Sequence, residues 1–272
     1  YGPSGAARAL SIIAMLMALA PAIAPTLGGL FLLVLPWPSV FFFLAAYGMI
    51  MIVLIQVFLP ESLPQVQSLH PLVILRNYGE LIVDPLFLTV TIASGLVYAG
   101  LMVYLASSSF VFIDMLGVPV QYFGPIFLGS VVGYMCGSAL SARLSRKFDS
   151  EQVMQLGVLL AVTATSLLLL GFYLWPTSVL ALMLPMVVYS TAMGLVLPHA
   201  MAIALRPFAH IAGTASALLG FIQMSLSAAA SALTGQFLTT SPAPMVWAMV
   251  AISMAVLVLG QRAHRLYLRA KP

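Results

Sequence analysis

Long uncharged runs alternate with short breaks along almost the whole chain, and the breaks are where proline, tryptophan and the few charged side chains collect. Eight runs have the length of a membrane crossing: 10–34, 38–59, 86–110, 121–142, 152–174, 178–200, 213–237 and 243–261. A hydrocarbon core about 30 Å thick needs roughly 20 apolar residues of helix. Lipid cannot satisfy open backbone groups, so such runs predict helices and not strands. Three joints carry the signature of an interfacial turn: Pro36-Trp37-Pro38, Trp175-Pro176, and Ser241 to Pro244 followed by Trp247. Proline stops a helix there, and tryptophan sits well at the boundary between lipid and water.

The basic residues test this count independently. Lys and Arg gather on the cytoplasmic side of short loops. With the start of the chain inside, Arg8, Arg76, the cluster Arg143, Arg146 and Lys147, Arg206, and the group Arg262, Arg265, Arg269 and Lys271 all fall on the cytoplasmic side. Those are all ten basic residues, and dropping one crossing would send every later cluster to the opposite face. Both ends of this chain are therefore expected in the cytoplasm. The connection from Pro60 to Pro85 differs from the others in holding Glu61, Gln65, Gln67, His70, Arg76, Asn77, Glu80 and Asp84, and it reads as a cytoplasmic linker. It leaves two spans before it and six after it. Transporters often repeat bundles of equal size, so four further helices are expected upstream of a chain that begins at Tyr1.

Composition narrows the class. Of 272 residues, 62% are hydrophobic and 6% charged, and the mean hydropathy is +1.13. A soluble domain carries about 25% charged residues, which excludes a water-soluble fold. The net charge of +4 does not point to nucleic acid, because the basic residues are scattered between apolar runs. Cys136 is the single cysteine, which excludes an intramolecular disulfide or a cysteine-based metal cluster. No Gly-rich phosphate loop with Lys, no His-Glu-His metal spacing and no carboxylate pair within a span is found, so neither an enzyme nor a bound cofactor or metal is expected.

At the level of motifs the chain resembles the Bcr/CflA group of bacterial drug-resistance transporters in the major facilitator superfamily. Ala6-Ala7-Arg8-Ala9-Leu10-Ser11, followed by Ala20 to Gly29 (Ala-Pro-Ala-Ile-Ala-Pro-Thr-Leu-Gly-Gly), is similar to that family's entry to its fifth helix and its antiporter motif. Pro60 to Pro64 resembles the end of the sixth helix, and Ala93 to Leu96 through Phe110 to Asp114 resembles the seventh. Gly194 to Ala200 and Ala212 to Phe221 resemble the tenth and eleventh. Three positions depart from the pattern. Ala24 stands in place of a glycine, His199 in place of an expected asparagine, and the basic loop Arg143-Leu144-Ser145-Arg146-Lys147 has Ser145 in a glycine place and Ala142 in the place of its acid.

The resemblance implies an all-α, polytopic membrane fold of eight transmembrane helices, part of the superfamily's twelve. Residues 1–60 would be the last two helices of an N-terminal bundle, 61–85 a cytoplasmic linker, 86–262 a six-helix C-terminal bundle and 263–272 a cytoplasmic tail. It implies efflux of small amphipathic drugs or metabolites across a bacterial inner membrane in exchange for protons, by a monomer embedded in the bilayer. Such an activity is expected to be incomplete in a chain lacking the first four helices; a nutrient symporter of the same fold and an inactive fragment are the alternatives.

Candidate residues follow. Pro21, Pro25, Gly28 and Gly29 allow a helix to bend and approach a neighbour, and the resemblance gives them a role in sealing the cavity; ordinary helix packing would use the same residues. Ser94, Tyr98, Leu101 and Leu105 share one helical face, and Tyr189 and Met193 lie one turn apart. As the seventh and tenth helices line the cavity by resemblance, these six are candidates for an adaptable apolar wall with polar handles. Arg143, Arg146 and Lys147 form the candidate cytoplasmic loop motif. The family's proton-coupling acids lie in its first helix, so no proton carrier is assigned.

Overall fold

The computed structural model describes residue 31 and residues 34–58, 71–239 and 241–270. The chain divides into two compact units, Tyr1–Val73 and Ile74–Pro272. In the first, the Pro36-Trp37-Pro38 joint closes a tight turn, with the Ser39 and Val40 amides donating to the Pro36 and Trp37 carbonyls at 3.0 and 3.3 Å. Pro38, whose missing N–H would be unsatisfied at a helix start anyway, then opens α1, Pro38–Phe58. This helix is apolar on all sides and buries none of its residues; Phe42, Ile50 and Phe58 are among its open side chains. A surface of that kind is at home in lipid and not in water.

Helix α2, Pro71–Val83, lies within the connection read as a linker. Asp84 ends it and starts the next element: its carboxylate accepts the Phe87 amide at 2.6 Å, while Pro85 occupies the first turn of α3, Pro85–Ser109. The last turns of α3 loosen into a π-helical stretch, Phe110–Met115. There follow α4 (Val120–Leu144), α5 (Ser150–Leu174) and α6 (Val179–Leu205). A 3-10 turn, Arg206–Ile211, leads into α7 (Ala212–Phe237), and α8 (Ala243–Ala270) completes the unit.

Six stretches among the described residues are long and apolar enough to cross a membrane, and one of them, Val179–Phe237, contains both α6 and α7. Helix ends differ from the sequence-based spans mainly on one side of the bundle. α6 runs to Leu205 instead of 200, and α8 to Ala270 instead of 261. Hydropathy marks where a helix leaves apolar surroundings, whereas backbone hydrogen bonding continues beyond that depth.

Within the second unit the packing has a simple order. α3 packs chiefly on α6, α7 and α8; α6 packs chiefly on α3, α4 and α5; α5 and α8 meet each other. Exchanging α3 with α6, α4 with α7 and α5 with α8 leaves this set unchanged. The unit is therefore two three-helix halves about a pseudo-two-fold axis, and an odd number of crossings makes the second half an inverted copy of the first. α3 and α6 sit at the axis and are the most buried helices, with 15 and 14 buried residues.

Close approach of α4 to α6 rests on small residues. A Cβ added at Gly133 or Gly137 would overlap the Val187 or Thr191 carbonyl, and Gly194 on α6 returns the contact against Tyr134 and Ser138. The Thr191 hydroxyl donates to the Gly133 carbonyl across the gap at 3.0 Å. In lipid, where apolar side chains gain little by leaving the solvent, this close backbone packing is a main source of helix association.

Candidate functional site

The axial pair α3 and α6 carries all six residues proposed for the cavity wall, and the structure separates them by depth. Ser94, Leu101, Tyr189 and Met193 are buried inside the unit, whereas Tyr98 and Leu105 are half-buried. Tyr189 reaches from α6 into α3: its hydroxyl donates to the Val97 carbonyl at 2.9 Å and lies over Gly100, where the missing side chain makes room. Its geometry is that of a clamp between the two helices. Ser94 donates to the Thr91 carbonyl one turn back at 2.9 Å, a local bond that keeps its hydroxyl on its own helix. Tyr98 lies near Tyr134 of α4 and remains partly open, so two phenol groups from different helices share one region. Leu88, Ile92, Leu96 and Met102, half-buried on the same helix, extend the partly open surface of α3.

Among the described residues no acid or base lies near the middle of these spans. The acids nearest α3 flank it: its cap, Asp84, and Asp114 in the π-helical stretch. A wall of this composition can hold apolar and aromatic groups and offer hydroxyls for orientation; it supplies no buried charge. Pro21, Pro25, Gly28 and Gly29 fall outside the described residues.

Arg143, Arg146 and Lys147 sit where α4 turns into α5. Successive amides of Ser145, Arg146, Lys147 and Phe148 close back on Ser141, Arg143 and Leu144, and this tight turn leaves all three cations exposed. His199, on the inner side of the same end, is buried against α4, with Nε2 at 3.0 Å from the Ser141 hydroxyl and 3.4 Å from that of Ser145. It ties α6 to α4 by hydrogen bonding.

One pair escaped the sequence reading. Glu151, in the first turn of α5, is buried with its carboxylate 2.6 Å from His264 Nδ1 on α8. One turn further in, the Gln155 amide donates to the Gly260 carbonyl at 2.7 Å. The two bonds fasten the outer helices of the two halves together. The signal was present, an acid at the start of one span and a histidine after the end of another, but His264 fell beyond the predicted end of the last helix.

A model of the Major Facilitator Superfamily matches residues 1–232. An MFS-type transporter of Bacillus subtilis, YdgK, is 28% identical over 236 residues, 85% of this chain and 58% of its own length. A bicyclomycin resistance protein homolog of Haemophilus influenzae is 27% identical over 251 residues, 89% of this chain and 61% of its own length. The multidrug resistance protein MdtL of Vibrio parahaemolyticus is 30% identical over 224 residues, 82% of this chain and 56% of its own length. The chain spans less than two thirds of the length of each of these relatives. Among solved structures, a bacterial homolog of the human lysosomal transporter Spinster, in an inward-facing and unoccupied conformation, superimposes with a TM-score of 0.58 at 15% identity. It covers 99% of this chain and 73% of its own, a likeness of fold.

Proposed function

The chain belongs to the Major Facilitator Superfamily, and from that premise we propose that it forms part of a carrier exporting small amphipathic drugs or metabolites in exchange for protons. The observation that carries the reading is the likeness, along 82% and 89% of this chain, to proteins named for multidrug and bicyclomycin resistance. The composition of α3 and α6 supports it, since apolar walls with a few hydroxyls suit greasy cargo better than a charged nutrient.

In this reading Tyr98 and Leu105 belong to the surface that meets cargo. Ser94, Leu101, Tyr189 and Met193 form the layer behind it that fixes its shape. Pro21, Pro25, Gly28 and Gly29 would seal the cavity, and Arg143, Arg146 and Lys147 would anchor the cytoplasmic side. Residues 1–60 and 86–262 belong to two bundles joined through 61–85, as alternating access by bundle motion requires. The proton-carrying acid belongs to helices that precede this chain's first span. The carrier sits as a monomer in the bacterial inner membrane, with both ends of this chain cytoplasmic.

The test is drug accumulation in energised cells expressing a twelve-helix form that includes this chain. Accumulation is expected to fall when the form is present and to recover when the proton gradient is collapsed. Equal accumulation with and without the gradient refutes proton coupling, and uptake driven by the gradient would turn the reading to symport.

A further inference from the structure

The basic end of the second unit holds a cavity that is separate from the surface assigned to cargo. It has a volume of about 890 Å³, within the roughly 300–1,000 Å³ of small-molecule sites. It is lined by the start of α3, the turn from α4 into α5, the end of α6 with the 3-10 turn that follows it, and the last turns of α8. Leu86, Phe148 and Ile203 give it apolar walls, and its polar groups are hydroxyls, one cation and one acid.

The charges are not balanced in what they leave available. Asp149, the acid, is the N-cap of α5, where its carboxylate takes the amide of the third helical residue and Gln152 returns a bond to the Asp149 amide at 3.2 Å. Arg206, the cation, forms no ion pair or side-chain hydrogen bond among the described residues. The same holds for the hydroxyls of Tyr267 and Ser150, which line the same space. The Ser145 hydroxyl, by contrast, already donates to the Ser141 carbonyl at 2.7 Å. Residues with an uncommitted guanidinium and uncommitted hydroxyls thus line one cavity whose acid is occupied as a helix cap, and Arg143, Arg146 and Lys147 belong to the same turn from α4 to α5 as its Ser145 and Phe148.

We propose that this cavity binds a phosphate-bearing amphipathic ligand. Arg206, Tyr267 and Ser150 donate to the phosphate oxygens, and the apolar part of the ligand lies along Leu86, Phe148 and Ile203. Donors from three different elements match a tetrahedral phosphate, with several acceptor oxygens, better than a flat carboxylate, and guanidinium-to-phosphate bonds are among the strong ones. A lipid headgroup and a soluble phosphate ester share this chemistry. Because the site lies away from the wall assigned to cargo, its failure would leave the export reading standing, and failure of export would leave the site standing.

The test uses the purified chain in phosphatidylcholine nanodiscs with two probes. One is short-chain phosphatidic acid doped into the disc and counted by native mass spectrometry; the other is glycerol phosphate in the aqueous phase, followed by phosphorus NMR line broadening. Saturable binding of either probe is expected, and which one binds identifies the source. Arg206→Gln should weaken it about tenfold and Tyr267→Phe about threefold, while Arg206→Lys keeps part of it and Arg269→Gln, a basic residue outside the cavity, changes it less than twofold. Ala202→Trp, which fills the cavity from its wall with Arg206 intact, should abolish binding at an unchanged unfolding temperature. Binding of neither probe, equal losses in the Arg206→Gln and Arg269→Gln variants, or full binding in the Ala202→Trp variant would overturn the proposal.

Discussion

Tyr189 and Gly100 form a lock whose two halves can be removed separately. Changing Tyr189 to Phe deletes the bond to the Val97 carbonyl and leaves the ring in place. Hydrogen bonds between membrane helices average about 0.6 kcal/mol and rarely exceed about 1.7, and the Val97 carbonyl keeps its own helical bond, so about 1 kcal/mol is expected. Changing Gly100 to Ala puts a methyl group into space held by the Tyr189 hydroxyl, with the ring carbon behind it only 2.8 Å away. Overpacking of this kind costs about 1–3 kcal/mol. Phe at 189 removes the nearest atom of the clash but not the ring carbon. The double variant should therefore be less destabilised than the sum of the singles by about 1 kcal/mol, a coupling characteristic of residues in direct contact. The assay is reversible unfolding of the purified chain in detergent, with all four forms compared under one condition. Additive single effects would show that the hydroxyl does not occupy the Gly100 notch and would remove the clamp assigned to Tyr189.

Three further predictions concern other joints. Gly137→Ala should destabilise the unit by about 1–3 kcal/mol, because its Cβ meets the Thr191 backbone, while Gly220→Ala, which has open space around its Cβ, should be neutral or slightly stabilising; comparable effects in the same unfolding assay would refute the tight α4–α6 contact. His264→Ala strands the buried Glu151 carboxylate and should destabilise by about 1–3 kcal/mol, whereas the Glu151→Gln, His264→Ala double variant should recover part of that loss because no charge is left behind; equal stability of the single and double variants refutes the pair. Reporter fusions behind Pro38 and behind Pro176 should both read as periplasmic, and cytosolic signals from both would break the alternation on which the assigned orientation rests.

The all-helical, membrane-spanning fold was legible because its cause is one-dimensional: a bilayer sets a length, and uninterrupted apolar runs of that length are visible in any sequence. The turn chemistry was equally local. The Pro36-Trp37-Pro38 joint is the case in point, with Pro38 opening α1, whereas the cap that Asp84 makes on α3 lay inside a segment read only as a linker. What could not be read was rotation about the helix axes. In a soluble protein an amphipathic stripe tells which face is inside, but α3 and α6 are apolar all round, and so they carry no such stripe. Tyr98 and Tyr189 show the consequence. Each is a tyrosine in an uncharged span, and only the fold puts one at a half-open surface and the other in a notch made by Gly100.

The basic end of the second unit holds most of the polar chemistry that hydropathy does not mark. Where helices emerge from apolar surroundings, hydropathy falls and a span-by-span reading ends the element, yet α8 continues through Gln261 to Ala270 with its hydrogen bonds intact. Those extra turns bring His264 to Glu151 and Tyr267 to the cavity beside Arg206. Glu151 lies 113 residues from His264, and Arg206 lies in the 3-10 turn after α6, so no local pattern could announce either meeting. Polar chemistry in such a bundle is cheapest at its ends, where water can solvate whatever the protein leaves unpaired, and a charge retained there in a buried pair is correspondingly informative. Glu151 is such a charge: with a solvated end close by, its burial against His264 fixes the α5–α8 seam while the hydrophobic middle of the two helices is left to pack by shape alone.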